Sequence, residues 1–153
     1  MIAFLGLFGL VENARGGSYS TSVGRTRMPG PGLLHRCIKE VTDVIVHDIF
    51  SPPVASRIYA YITVAGYEAA RREDTSFVSF VGRLHGLDAV PVPDAGRRYD
   101  FSLASVQAVL TVGKALVISE EKIEAYREKL LEEMRTGLPQ DVFANSVESV
   151  KEN

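Results

Sequence analysis

From Leu33 onward the apolar residues return every three or four positions, and that spacing commits most of the chain to amphipathic helices. Leu34, Ile38, Val41, Ile45 and Ile49 make the first stripe, which stops at Ser51-Pro52-Pro53. Ser51 is placed to cap a second helix, and a proline in a first turn gives up no N–H that a helix needs. That second helix runs from about Pro52 to Arg71 on Val54, Ile58, Ile62, Ala65 and Ala69. Ala55, Ala60 and Gly66 keep parts of its surface small, so a neighbouring helix can come close. The short connection between the first two helices favours antiparallel packing.

Asp74-Thr75-Ser76 offers caps for a short helix through Phe77, Phe80, Val81 and Leu84, with Gly86 as its stop and His85 facing its C-terminal end. Pro91, Pro93 and Gly96 mark a connecting loop. Leu103, Val106, Leu110, Gly113 and Val117 predict a buried helix over 102–118. Ser119 then caps a charged helix with a narrow stripe of Ile123, Tyr126, Leu130 and Met134, ended by Gly137 and Pro139. A last amphipathic segment runs from Asp141 toward Asn153 through Val142, Phe143, Val147 and Val150, and it reads as a helix cut short. The expected architecture is all-α, a bundle of about six helices occupying residues 33–153.

Residues 1–32 differ in character. Met1 to Val11 is an apolar run too short to span a bilayer, with no Lys or Arg before it and a poor cleavage site after it. It reads as a degraded signal segment or as a buried stretch; the Gly-, Ser-, Thr- and Pro-rich residues 12–32 read as a poorly ordered lead-in. With 17 basic and 19 acidic side chains the net charge is -2, which supplies no general attraction to nucleic acid or to an anionic membrane. Arg97-Arg98 is too short for a nucleic-acid patch. The single cysteine, Cys37, forms no intramolecular disulfide and falls on an apolar-periodic segment, as a buried inert thiol does.

A longer pattern lies over these helices. The run from Thr42 through Asp43, His47, Asp48, Ser51-Pro52-Pro53, Ser56-Arg57 and Tyr61, followed by Ala65-Gly66-Tyr67-Glu68-Ala69, is distinctive. Leu84-His85-Gly86-Leu87, Pro91-Val92-Pro93, Ser105-Val106-Gln107-Ala108 and Val112-Gly113-Lys114-Ala115-Leu116 come after it in order. Over residues 34 to 153 the chain resembles the N-terminal region of bacterial vanadium-dependent haloperoxidase/PAP2 phosphatase superfamily proteins. The resemblance implies an exported helical-bundle enzyme whose single oxyanion pocket holds vanadate in the peroxidases or phosphate in the phosphatases. Cationic side chains, a Ser-Gly pair and two histidines carry the chemistry there.

The motifs that supply those groups are Lys-x6-Arg-Pro, Pro-Ser-Gly-His and Ser-Arg-x5-His, and none is complete in this sequence. Lys114 is followed seven residues later by Glu121, Lys122 by Lys129, and Ser56-Arg57 leads to Thr63 where a histidine is required. The expected assignment is therefore no catalytic, no cofactor-binding and no metal-ligating residue, with vanadate belonging to the complete family protein. The chain alone is expected to be inactive: an N-terminal scaffold, truncated, whose partner is the missing C-terminal catalytic bundle or a second copy meeting its exposed apolar faces. The alternative is a stand-alone, non-catalytic helical interaction module; a third, weaker reading is an independent metal enzyme.

Several side chains invite sharper readings. His47 and Asp48, with Asp43 one helical turn earlier, suggest a metal pair, but two ligands at helical spacing are not a metal site, and capping or interhelical packing is the expected role. Arg57, Tyr61 and Glu68 share a face of the second helix, where an internal hydrogen-bond network is preferred over a ligand cavity. Tyr59, Tyr61 and Tyr67 are expected to pack as core aromatics.

Overall fold

A computed structural model describes residues 31–74 and 76–150, so the expectations for the lead-in 1–30 and for residues 151–153 lie outside the described residues. Five α-helices follow one another: α1 (Gly32–His47), α2 (Pro52–Ala70), α3 (Phe101–Leu116), α4 (Glu120–Arg135) and α5 (Gln140–Glu148). A single 3-10 turn, Arg71–Glu73, extends α2, and no strand occurs among the described residues.

The all-α expectation holds, with one helix fewer than the periodicity suggested. The segment from Phe77 to Leu84 is a set of turns, not a helix. Asp74 Oδ1 accepts from the Ser76 N–H and closes a local turn in place of a helix cap. The Glu68 carboxylate of α2 then takes the Phe80 N–H and the Ser79 hydroxyl at 2.6 and 3.0 Å. A short helix has a costly nucleus and little packing to repay it, so these tertiary bonds win the backbone. Gly82 and Gly86 stand at φ 70° and 80°, a left-handed conformation in which a β-carbon is strained. His85 consequently sits in an exposed turn and not at a helix end.

α3 packs on each of the other four helices. Its residues Leu103 to Leu110 are buried without interruption, the signature of a helix at the centre of a bundle. Asp100 caps it through Oδ1, which accepts from the Leu103 N–H at 2.7 Å. The core joins Leu103, Val106, Val109 and Leu110 to Val41, Ile45, Ile58, Ile62, Ile123, Leu130 and Met134. In α4 the expected stripe is the observed one, with Ile123, Leu130 and Met134 buried and Tyr126 packed against them.

In α1 the buried set is Leu33, Cys37, Val41, Val44 and Ile45, so the helix is rotated from the predicted stripe. Leu34 and Ile38 are half-buried, and Ile49 lies past the helix end, 88% exposed at φ 57°. The sequence carries two overlapping stripes at helical spacing, and contact with α3 and α4 selects between them.

The antiparallel neighbour of α2 is α3, whereas α1, which the short connection made the expected partner, packs chiefly on α3 and α4. α2 and α3 come close at Gly66: the Ser105 hydroxyl donates to the Gly66 carbonyl at 2.8 Å. A β-carbon at Gly66 would stand 2.7 Å from Val109 Cγ2 and 3.3 Å from Ser105 Oγ. Gly66→Val is expected to cost about 1–3 kcal/mol, because a short buried valine cannot swing aside without moving the helix. Urea unfolding of the two proteins measures it; a loss of less than about 0.5 kcal/mol contradicts the close approach.

Candidate functional site

The two helix connections at one end of the bundle are tied by Asp48. Its Oδ2 accepts from the N–H groups of Ile118 and Ser119 at 2.8 and 3.0 Å, and the Ser119 hydroxyl donates to Oδ1 at 2.6 Å. Those bonds hold the Asp48 carboxyl below its ordinary value, the Ser119 hydroxyl contributing most. Ser119 thus serves Asp48 and not, as the sequence suggested, its own helix; Ser51 makes no side-chain cap bond either. Asp43 pairs with Lys39 one turn away, and His47 is exposed. The three acidic and imidazole groups therefore do not converge, and among the described residues no cluster of three His, Cys, Asp or Glu forms a metal site.

Arg57, Tyr61 and Glu68 part company as well. Arg57 is exposed, while Tyr61 is half exposed at the rim of a cavity. Glu68 is 4% exposed and is the hub of a polar network. Burial pushes its carboxyl up, but the Arg71 guanidinium at 2.7 Å, the Phe80 N–H and the Ser79 hydroxyl outweigh that and hold it below its ordinary value. The Tyr67 ring lies 4.9 Å from that of Phe80, and its hydroxyl donates to the Val78 carbonyl. The Tyr59 hydroxyl donates to Thr42 Oγ1 across α1 and α2. The aromatic trio is thus divided between the bundle, the cavity rim and the loop.

The cavity is a groove of about 910 Å³. Its floor is two antiparallel helix faces: Tyr61, Val64, Ala65, Glu68, Ala69 and Arg72 from the α2 side, and Phe101, Ala104, Ala108, Thr111, Val112 and Leu116 from α3. Residues Leu84 to Leu87 and Ala89 to Pro91, with Pro93, contribute another wall, and Ser149 and Val150 close part of the mouth. The fifteen-residue step from Phe101 to Leu116 makes it about 22 Å long. The lining is largely apolar, with alanine and valine the commonest residues and few groups able to activate a substrate.

Beside it, sharing Thr111 and Val150, is a cleft of about 380 Å³ lined by Gln107, Lys114, Glu124 and Arg127. The basic groups there are already engaged: Lys114 and Arg127 both reach Glu124, at 3.0 and 2.7 Å. The Arg127 bond is the main cause that lowers the Glu124 carboxyl. Gln107 is buried at 1% exposure and its Nε2 has no protein partner, a feature that helical spacing alone did not single out.

These residues do not fit an oxyanion cofactor. Its cradle needs uncommitted cations beside hydrogen-bond donors and histidines, whereas Glu124 stands between Lys114 and Arg127. His35 and His47 are exposed near opposite ends of α1, and His85 is exposed in the distant loop. Cys37 is buried, which pushes its thiol up to about 11, far from the range of a nucleophilic thiolate at neutral pH. No helix among the described residues is long and apolar enough to cross a membrane.

No family model matches the chain, and no curated protein matches it. Among solved structures it is similar to a bacterial vanadium-dependent iodoperoxidase, with 38% identity and a TM-score of 0.73. The match covers 78% of this chain and 29% of that one, so the chain spans less than a third of the length of the protein it resembles. Sequence and helical fold agree in this match, so over the matching part the chain is related to a vanadium-dependent haloperoxidase.

Proposed function

We propose that this helical unit is the scaffold part of a haloperoxidase-like enzyme, and that its role is to pack against and shape a catalytic bundle supplied by other residues. The groove between α2 and α3 carries the reading. It is long and lined mostly by apolar side chains, several of them alanine, as a helix-packing surface is, and its lining pairs no nucleophile with a base. The 29% coverage of a related enzyme leaves ample chain for the catalytic part. Vanadate, in this reading, is held by residues outside the described helices. The kinship with an iodoperoxidase favours peroxide-driven halide oxidation over phosphate-ester hydrolysis as the chemistry of the whole.

Reading the source gene past codon 153 tests the proposal together with an assay of the chain itself. Coding sequence for Arg-Pro, Ser-Gly-His and Arg-x5-His motifs is expected downstream, and the isolated chain is expected to oxidise no iodide with peroxide and vanadate. A verified stop with no such sequence nearby removes the scaffold role and leaves a stand-alone interaction module. Vanadate-dependent turnover by the chain alone would overturn both. On its own the chain is also expected to self-associate through the uncovered groove, seen as a concentration-dependent elution volume.

A further inference from the structure

We infer that the groove receives one helix of about fifteen residues in a fixed polarity, parallel to α2 and antiparallel to α3, with an acidic C-terminal turn over Arg72. The inference rests on the scaffold reading and names the partner of that same surface. The dimensions give the length: α3 lines the groove from Phe101 to Leu116, about 22 Å, and a helix rises 1.5 Å per residue. Small residues give the mode of contact, since Ala65, Ala69, Ala104 and Ala108 let a helix axis come close.

Charge gives the direction. Glu68, Arg72 and His85 are the ionisable groups that line the groove apart from Tyr61. The Glu68 charge is already met by Arg71 at 2.7 Å. Arg72 forms no ion pair among the described residues; its one hydrogen bond is a long contact of 3.4 Å to the Pro91 carbonyl. Arg72 and Phe101 mark the end of the groove where α2 finishes and α3 begins, whereas Tyr61 and Leu116 mark the other end, without a formal charge. A helix C-terminus carries partial negative charge and its last turn commonly bears unsatisfied carbonyls, so that end belongs beside Arg72. Reversing the helix would set its positive end against Arg72.

Fluorescence anisotropy with the full chain and three labelled fifteen-residue helical peptides tests this. All three carry one Leu/Ala stripe; the first has two glutamates in its last turn, the second has glutamines there, and the third has the glutamates in its first turn. The first is expected to bind at least about fivefold more tightly than the others, and Arg72→Gln is expected to erase the difference. Ala69→Trp, which fills the groove from a half-buried position, is expected to weaken all three. Equal binding of the three peptides overturns the polarity while leaving helix docking and the scaffold reading intact. Binding that survives Ala69→Trp, or no binding to a chain that circular dichroism shows folded, overturns helix docking itself. Self-association through the groove that Ala69→Trp dissolves but that no peptide displaces makes a second copy the occupant and likewise overturns it.

Discussion

Glu68→Ala is expected to destabilise the protein by about 3 kcal/mol and to release the segment after α2 from the bundle. The value is at the low end for breaking a buried pair because the Arg71 side chain is 15% exposed and keeps some water. The loss is more than one ion pair: the Phe80 N–H and the Ser79 hydroxyl lose their acceptor together. Glu68→Gln retains an acceptor oxygen and is expected to cost less. Amide exchange at Phe80, read beside urea unfolding, separates this from a general loss of stability. If Phe80 exchanges no faster in Glu68→Ala than global unfolding requires, the carboxylate is not what holds the loop.

The same group sets a pH dependence. Its folded pKa lies below the ordinary 4.5, so its contribution is complete above about that pH and is lost as pH falls through the folded value. Glu124, lowered by Arg127 and Lys114, acts in the same sense. Stability is therefore expected to be flat near neutrality and to fall below about pH 4.5, with a shallower fall in Glu68→Gln. An identical acid slope in the two proteins would assign the decline to other carboxylates.

The second large effect is expected at the centre of α3. Leu110→Ala removes a side chain of 0% exposure from a helix that contacts all four others. Loss of transfer energy plus an unfilled cavity gives about 2–5 kcal/mol, in the upper part of that range because Leu110 is fully buried in the core shared by α1 to α4. In a domain of this size that lowers Tm by roughly 5–15 °C. Val46→Ala, at a position 71% exposed, is the control and is expected to stay within about 0.5 kcal/mol. Thermal and urea unfolding of both variants measures the contrast, and comparable losses at the two positions would displace Leu110 from the core.

The scaffold reading also orders these effects. Substitutions that strike α3 or Glu68 disturb the floor and the loop wall of the groove together, since Glu68 belongs to both the polar network and the lining. Changes confined to Ala69 or Arg72 leave the core alone and alter what the groove accepts.

Most of the helical architecture was legible in the residues. The apolar spacing in Leu103–Leu110 and in Ile123–Met134 specifies helices wherever the chain folds, because only a 3.6-residue period gathers those side chains. Pro52-Pro53 and Gly137-Leu138-Pro139 punctuate them by fixing φ and removing donors. The lack of complete oxyanion motifs and the long run shared with haloperoxidase-like proteins were equally local facts of the sequence.

Other features depended on what lay across the fold. Leu33 and Cys37, not Ile38 and Ile49, face the core because α1 carries two apolar stripes and only contact with α3 and α4 chooses one. Asp48 bonds Ile118 and Ser119 seventy residues away, and Glu68 unmakes a plausible helix by capturing Ser79 and Phe80. Periodicity records which residues share a face, whereas such a bond depends on where two distant segments arrive after packing. The sequence thus determined the helices and their family likeness. Tertiary structure decided their rotation, the polar ties between them and the groove, because those follow from the free energy of burying particular faces together.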